Sequence, residues 1–165
     1  MGRYEQALAD LRRALAVSRR TGDPDRRCRI LNNLGYVSVR MGRNAKAVGY
    51  FEEARGIAVS LGDTALAGQI IGNIATALES LGELGRSAEC AQQALATCRD
   101  TGHRCGEADA LAALGRLEAR RGHLDAAVST LRTALHLAEQ IGYRDGVADI
   151  AGDLVSAQAR LGGSG

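Results

Sequence analysis

The sequence repeats itself every forty residues. Gly2, Gly42, Gly82, Gly122 and Gly162 form one register; Gly22, Gly62, Gly102 and Gly142 form a second, offset by twenty. Between consecutive glycines lie stretches whose apolar positions recur at helical spacing, such as Ala7, Leu8, Leu11, Ala14 and Leu15 in the first. The breaks carry matching chemistry. Glycine accepts the left-handed conformation that ends a helix, and Asp23-Pro24 supplies an N-cap acceptor followed by proline at the first helical position. Breaks this short force neighbouring helices to run antiparallel, and a helix pair buries its second apolar stripe only by stacking on the next pair. The expectation is an all-α solenoid of antiparallel helix pairs. Its eight helices fall near 3–20, 24–41, 44–61, 64–81, 84–101, 104–121, 124–141 and 144–161. Residues 1–161 then form a single array, with 162–165 (GGSG) as a flexible tail.

Alternate helices differ in kind. Those starting at 24, 64, 104 and 144 share a broad apolar set: Ile30, Leu31, Leu34 and Gly35; Ile70, Ile71, Ile74 and Ala75; Ala110, Leu111, Leu114 and Gly115; Ile150, Ala151, Leu154 and Val155. The others share a ladder of small residues, Ala7 and Ala14, Ala47 and Ala54, Ser87 and Ala94, Ala127 and Ala134. Between them sit Leu11, Phe51, Ala91 and Leu131. Small side chains there let the two helices of a hairpin cross at short distance. The composition agrees: there is no tryptophan and one phenylalanine, so a core built on large aromatics is excluded.

The net charge of +2 implies no strong field for nucleic acid or membrane. Nine arginines against four acids make residues 1–40 locally basic, but no aromatics interleave to stack bases, so direct nucleic-acid binding is not expected. No apolar run reaches the roughly 20 residues of a membrane span, and no apolar h-region marks a signal peptide, so a cytoplasmic location is expected. Cys98, His103 and Cys105 form a C-x4-H-x-C string with Cys90 upstream, but this spacing fits none of the common zinc patterns. No metal or cofactor is expected. His103 and His123 fall at turns, His136 lies between Leu135 and Leu137, and none has a nucleophile or acid partner in catalytic spacing. Glu52, Glu53 and Glu79 read as ordinary surface acids. The chain is not expected to be an enzyme.

Leu34-Gly35, Gly42, Ala47, Phe51 and Ala54 resemble the tetratricopeptide repeat pattern, as do Leu114-Gly115, Gly122, Ala127, Leu131 and Ala134. The forty-residue period and the LNNLG string resemble the longer variant found in kinesin light chains and in sensor regions of bacterial transcriptional regulators. The resemblance implies a right-handed α-solenoid in which each repeat is an A helix followed by a B helix. The chain is then out of phase: three whole repeats, 24–61, 64–101 and 104–141, stand between a B helix at 3–20 and an A helix at 144–161.

The resemblance also implies that the A helices line a concave, protein- or peptide-binding groove, as in a scaffold or a regulatory module of a larger protein. Residues four, three and four positions apart share one helix face. On the A helices this places Arg29, Asn33, Tyr36 and Arg40; Gln69, Asn73, Thr76 and Ser80; Asp109, Ala113, Arg116 and Arg120; and Asp149, Asp153, Ser156 and Arg160 on the groove, with Asn32 beside the first set. Asn33 and Asn73 are equivalent, and the resemblance assigns them to the backbone of an extended peptide, with helix bridging as the alternative. The arginines suit acidic side chains or a C-terminal carboxylate. The lysine–asparagine clamp for chaperone tails is not matched, since Asn32 and Tyr36 stand in its place. The broken phase suggests an alternative role in self-assembly. Tyr4, Leu8, Leu11 and Leu15 of one chain and Val147, Ile150, Leu154 and Leu161 of another would complete a repeat head to tail, forming a homo-oligomer.

Overall fold

The computed structural model describes residues 2–163. Along them, eight helices follow in order: α1 (Gly2–Thr21), α2 (Pro24–Arg40), α3 (Asn44–Ser60), α4 (Thr64–Ser80), α5 (Leu84–Asp100), α6 (Arg104–Arg121), α7 (Leu124–Gln140) and α8 (Arg144–Gly162). No strand occurs among the described residues. Gly162 closes α8 and Gly163 follows in a turn; Ser164 and Gly165, the rest of the expected tail, lie outside the described residues.

The turns are built to one plan. Gly22, Gly42, Gly62, Gly82, Gly102, Gly122 and Gly142 all take φ between 68° and 87°, which a side chain would oppose. The next amide then bonds back to the helix just ended, as Arg43 N does to Ser38 O (2.8 Å) and Tyr143 N to Ala138 O (2.9 Å). Asp23 and Asp63 cap the following helices, accepting from Arg26 N (3.0 Å) and Leu66 N (2.9 Å).

Each helix packs against its neighbours in sequence. The A helices α2, α4, α6 and α8 also touch one another in succession, whereas among the described residues no two B helices (α1, α3, α5, α7) meet. The A helices therefore form the inner layer of a curved array, and the B helices are splayed outside it. What joins the layers is a close approach of each A helix to the ladder of the B helix that follows. A Cβ built on Gly35 would lie 2.3 Å from the Phe51 ring, and one on Gly115 would lie 2.6 Å from Leu131 Cγ. The third pair, Ala75 and Ala91, divides the space evenly, and both are fully buried. Ser87, the polar member of its ladder, donates to Ala75 O at 2.7 Å. Around these seams lie Leu8, Leu31, Leu34, Ile70, Ile74, Leu78, Leu117 and Leu131, each contributing about 1.5–3 kcal/mol by its burial.

Gly35→Ala drives a methyl into Phe51 and is expected to destabilise the fold by about 1–3 kcal/mol. Gly49→Ala and Gly56→Ala, in helix α3 with nothing within 4 Å of the added carbon, should stabilise it by about 0.5–1 kcal/mol. Chemical denaturation of the three variants checks both signs.

Candidate functional site

The inner layer encloses a groove of ≈ 530 Å³ along α4, α6 and α8. Gln69, Asn73, Thr76, Glu79 and Ser80 come from α4, Asp109, Arg116 and Arg120 from α6, and Asp149 and Asp153 from α8. Its floor is made of small residues, Gly72, Ala110 and Ala113 among them. This leaves room for a polypeptide backbone to approach the helices.

Arg116 organises the groove. Its Nε contacts Glu79 Oε2 at 3.2 Å and its Nη1 contacts Asp153 Oδ2 at 2.9 Å, so one guanidinium ties α4, α6 and α8 together. Burial pulls its pKa down, but the two carboxylates more than offset this and hold it above the ordinary value. Arg120 Nη1 donates to Glu79 O at 2.7 Å. Glu79, a surface acid by its sequence position, is thus largely buried and bound by its side chain and its carbonyl.

Two groove carboxylates, Asp109 and Asp149, make no ion pair among the described residues. Asp109 Oδ2 accepts from Tyr143 Oη at 3.3 Å. Asp149 has no hydrogen bond or ion pair among the described residues, and its charge reaches Arg40 on α2. Asp109 is open to solvent, yet neighbouring groups crowd its carboxyl enough that desolvation raises its pKa. Tyr143 and Arg116 oppose that rise, and Asp149 adds to it. The Tyr143 hydroxyl is pushed up to about 12, by desolvation first and then by Asp109.

The structure divides the groove residues expected from spacing. Gln69, Asn73, Thr76, Asp109, Arg116 and Arg120 line one groove. Asn33 and Tyr36 do not join them; they border a mostly apolar hollow of ≈ 460 Å³ between α1 and α2, with Ala7, Asp10, Leu11, Ala14 and Val37. Asn73 Nδ2 donates to Asn32 Oδ1 at 3.0 Å, so the amide on α4 bridges adjacent inner helices. Thr76 Oγ1 donates to Gly72 O within its own helix (3.3 Å). Arg29 pairs with Asp25 (3.0 Å), and Arg40 Nε donates to Tyr4 Oη (3.4 Å). The four arginines expected to meet an acidic ligand all have partners within the chain.

The residues expected to mediate self-association are divided as well. Leu8, Leu15, Ile150 and Leu154 are buried in the chain's own core, so a second copy cannot cover them. Leu11, Val147 and Leu161 are partly buried, and Tyr4 is exposed. The most open large apolar residue of α8 is Val155, 64% exposed. It occupies the position held by Gly35, Ala75 and Gly115 in the other A helices. Head-to-tail completion in the register of the other repeats would set Val155 against Leu11, where Gly115 already leaves Leu131 no room for a Cβ.

Burial raises the thiol pKa values of Cys28, Cys90 and Cys98, and Cys98 Sγ lies 3.9 Å from His103 Nδ1. No three His, Cys, Asp or Glu side chains converge on a metal position among the described residues. No helix among them is long and apolar enough to cross a membrane.

Comparison with known proteins bears on this geometry. The tetratricopeptide repeat family matches residues 1–59. No curated protein sequence matches the chain. Among solved structures, BtubC (BKLC) from P. vanneervenii is 23% identical, covering 97% of this chain and 71% of that one at a TM-score of 0.72. A crystal structure of nearly identical TPR-like repeats from a Podosopora anserina putative kinesin light chain is 16% identical. It covers 98% of this chain and 80% of that one, at a TM-score of 0.74. These likenesses show a shared fold. The sequence match covers the first 59 of the 165 residues, and the array as a whole has the fold of TPR-like repeats. Arrays of this family generally mediate protein–protein interaction or scaffolding and are typically not catalysts.

Because desolvation raises the Asp109 pKa, the folded chain holds that proton more tightly than the unfolded chain does. Its contribution to stability is therefore present at acid pH and lost as pH rises through the folded value. Asp109→Asn keeps an acceptor for Tyr143 and removes the charge. It should unfold at a higher temperature than the parent at neutral pH, with the gap closing as pH falls below about 4, the ordinary carboxylate range. A pH-independent gap in thermal melts would contradict the assignment.

Proposed function

We propose that the chain is a protein-binding scaffold module that holds an extended segment of a partner in the groove between α4, α6 and α8, with a lysine or arginine side chain of that segment directed at Asp109 and Asp149. The observation that carries this reading is electrostatic. Arg116 is shared between Glu79 and Asp153, Arg120 is held by a backbone carbonyl, and Asp109 and Asp149 make no ion pair among the described residues, so the four groove carboxylates outnumber its two guanidiniums. A cation placed between these carboxylates relieves their mutual repulsion as well as gaining its own attraction. Gln69 has no hydrogen bond among the described residues, and its side-chain amide provides a donor and an acceptor for an extended backbone. The small floor residues let that backbone come close. The groove does not suit an acidic segment, because its arginines are already occupied.

Calorimetric titration with a peptide of alternating alanine and lysine should show binding that weakens with salt, and the glutamate counterpart should not bind. Asp149→Ala is expected to weaken the lysine peptide by about tenfold, roughly 1.4 kcal/mol. Equal binding of both peptides, or full affinity in Asp149→Ala, would overturn the groove assignment.

A further inference from the structure

The hollow between α1 and α2 can be interpreted by comparing it with the other repeats of the same molecule. In α3 the ladder Ala47, Phe51 and Ala54 is buried under α2; in α7 the ladder Ala127, Leu131 and Ala134 is buried under α6. The α1 ladder is Ala7, Leu11 and Ala14, residue for residue the same as that of α7, yet it is only partly buried. A second row of contacts follows the same rule. Position 73 of α4 receives the preceding A helix through Asn32, and position 153 of α8 does so through Arg116. The equivalent residue of α2 is Asn33, which is exposed beside Tyr36, itself 56% exposed. Both surfaces of the hollow are therefore those that receive an A helix elsewhere in the chain.

We propose that this face is a docking site for an amphipathic helix of a partner polypeptide. The occupant presents glycine to Leu11 and, three residues before that glycine, a hydrogen-bond acceptor to Asn33. The glycine requirement follows from the Gly115–Leu131 contact, since the same leucine stands at Leu11. The acceptor requirement follows from the bond Asn73 Nδ2 makes to Asn32 Oδ1, Asn32 lying three residues ahead of Gly35. The chain's own α8 fails on both counts. It carries Val155 in place of the glycine and Gly152 in place of the acceptor, so a second copy is not the occupant. The ladder and the exposed Tyr36 ring provide most of the apolar contact area, and Asp10, which also lines the hollow, is tied to Arg13 (2.6 Å).

The test uses the full chain and a labelled synthetic peptide with the sequence of residues 104–121 carrying Cys105→Ser and Ala112→Asn. Fluorescence anisotropy should show saturable binding, reduced at least about tenfold by Leu11→Arg in the chain or by Gly115→Val in the peptide. The asparagine should improve affinity by about two- to tenfold over the peptide that retains Ala112, and Asn33→Ala in the chain should abolish that gain. Asn33 is exposed, so its loss leaves the fold intact and the coupling readable. A peptide of residues 144–162 should not bind. The proposal is overturned if the first peptide does not bind, if its gain from asparagine survives Asn33→Ala, or if the 144–162 peptide binds equally well.

Discussion

The close approach of each inner helix to the small-residue ladder of the next outer helix is the contact on which the rest of the structure depends. It is met by three different divisions of one volume: glycine against phenylalanine at Gly35–Phe51, alanine against alanine at Ala75–Ala91, and glycine against leucine at Gly115–Leu131. Each keeps the seam filled without overpacking. Because the approach recurs every forty residues, the inner helices are brought into contact with one another while the outer helices stay apart. The concave layer is a consequence of the seam. The polar groups that line it, on α4, α6 and α8, are positioned by apolar contacts on the opposite faces of the same helices.

That dependence shapes the chemistry of the groove. Arg116 reaches carboxylates on both neighbouring inner helices only because the seam sets their spacing, and in doing so it removes itself as a ligand-binding cation. Asp109 and Asp149 are left without an ion pair, and four carboxylates face two guanidiniums. A chain whose overall charge is slightly positive thus acquires an acidic concave site. The basic residues of the first forty positions are elsewhere, on α1 and α2, several of them tied to local acids such as Asp10, Asp25 and Glu53.

The architecture was legible in the sequence because its determinants are local and periodic. The glycines at the turns, Asp23 and Asp63 at the caps, and the alternation of Leu34-Gly35 with Ala47, Phe51 and Ala54 each report a backbone or packing requirement at a known place. The helix-bridging alternative for the asparagines could also be read from the sequence, and it holds for Asn73. The partners were not legible. Asn33 and Asn73 are equivalent in sequence, but Asn73 meets a preceding inner helix and Asn33 does not, so one bridges helices while the other borders an open hollow. Arg116 finds partners 37 residues away in both directions, a relation that depends on how the helices are stacked. Leu8, Leu15, Ile150 and Leu154 read as spare apolar residues of half-repeats but are buried by the helices that are present. Val155 was the legible warning, a branched residue in a column otherwise held by glycine and alanine.

We propose above that the inner layer of α4, α6 and α8 recognises a basic extended segment. The most direct measurement is a nuclear magnetic resonance titration of the isotope-labelled chain with an alternating alanine–lysine peptide. The largest saturable shifts are expected at Gln69, Asn73, Asp109 and Asp149, with the outer helices unaffected. Shifts centred on the outer helices, for example around Val59 or Gln93, or no saturable shift at Asp109 and Asp149, would contradict it.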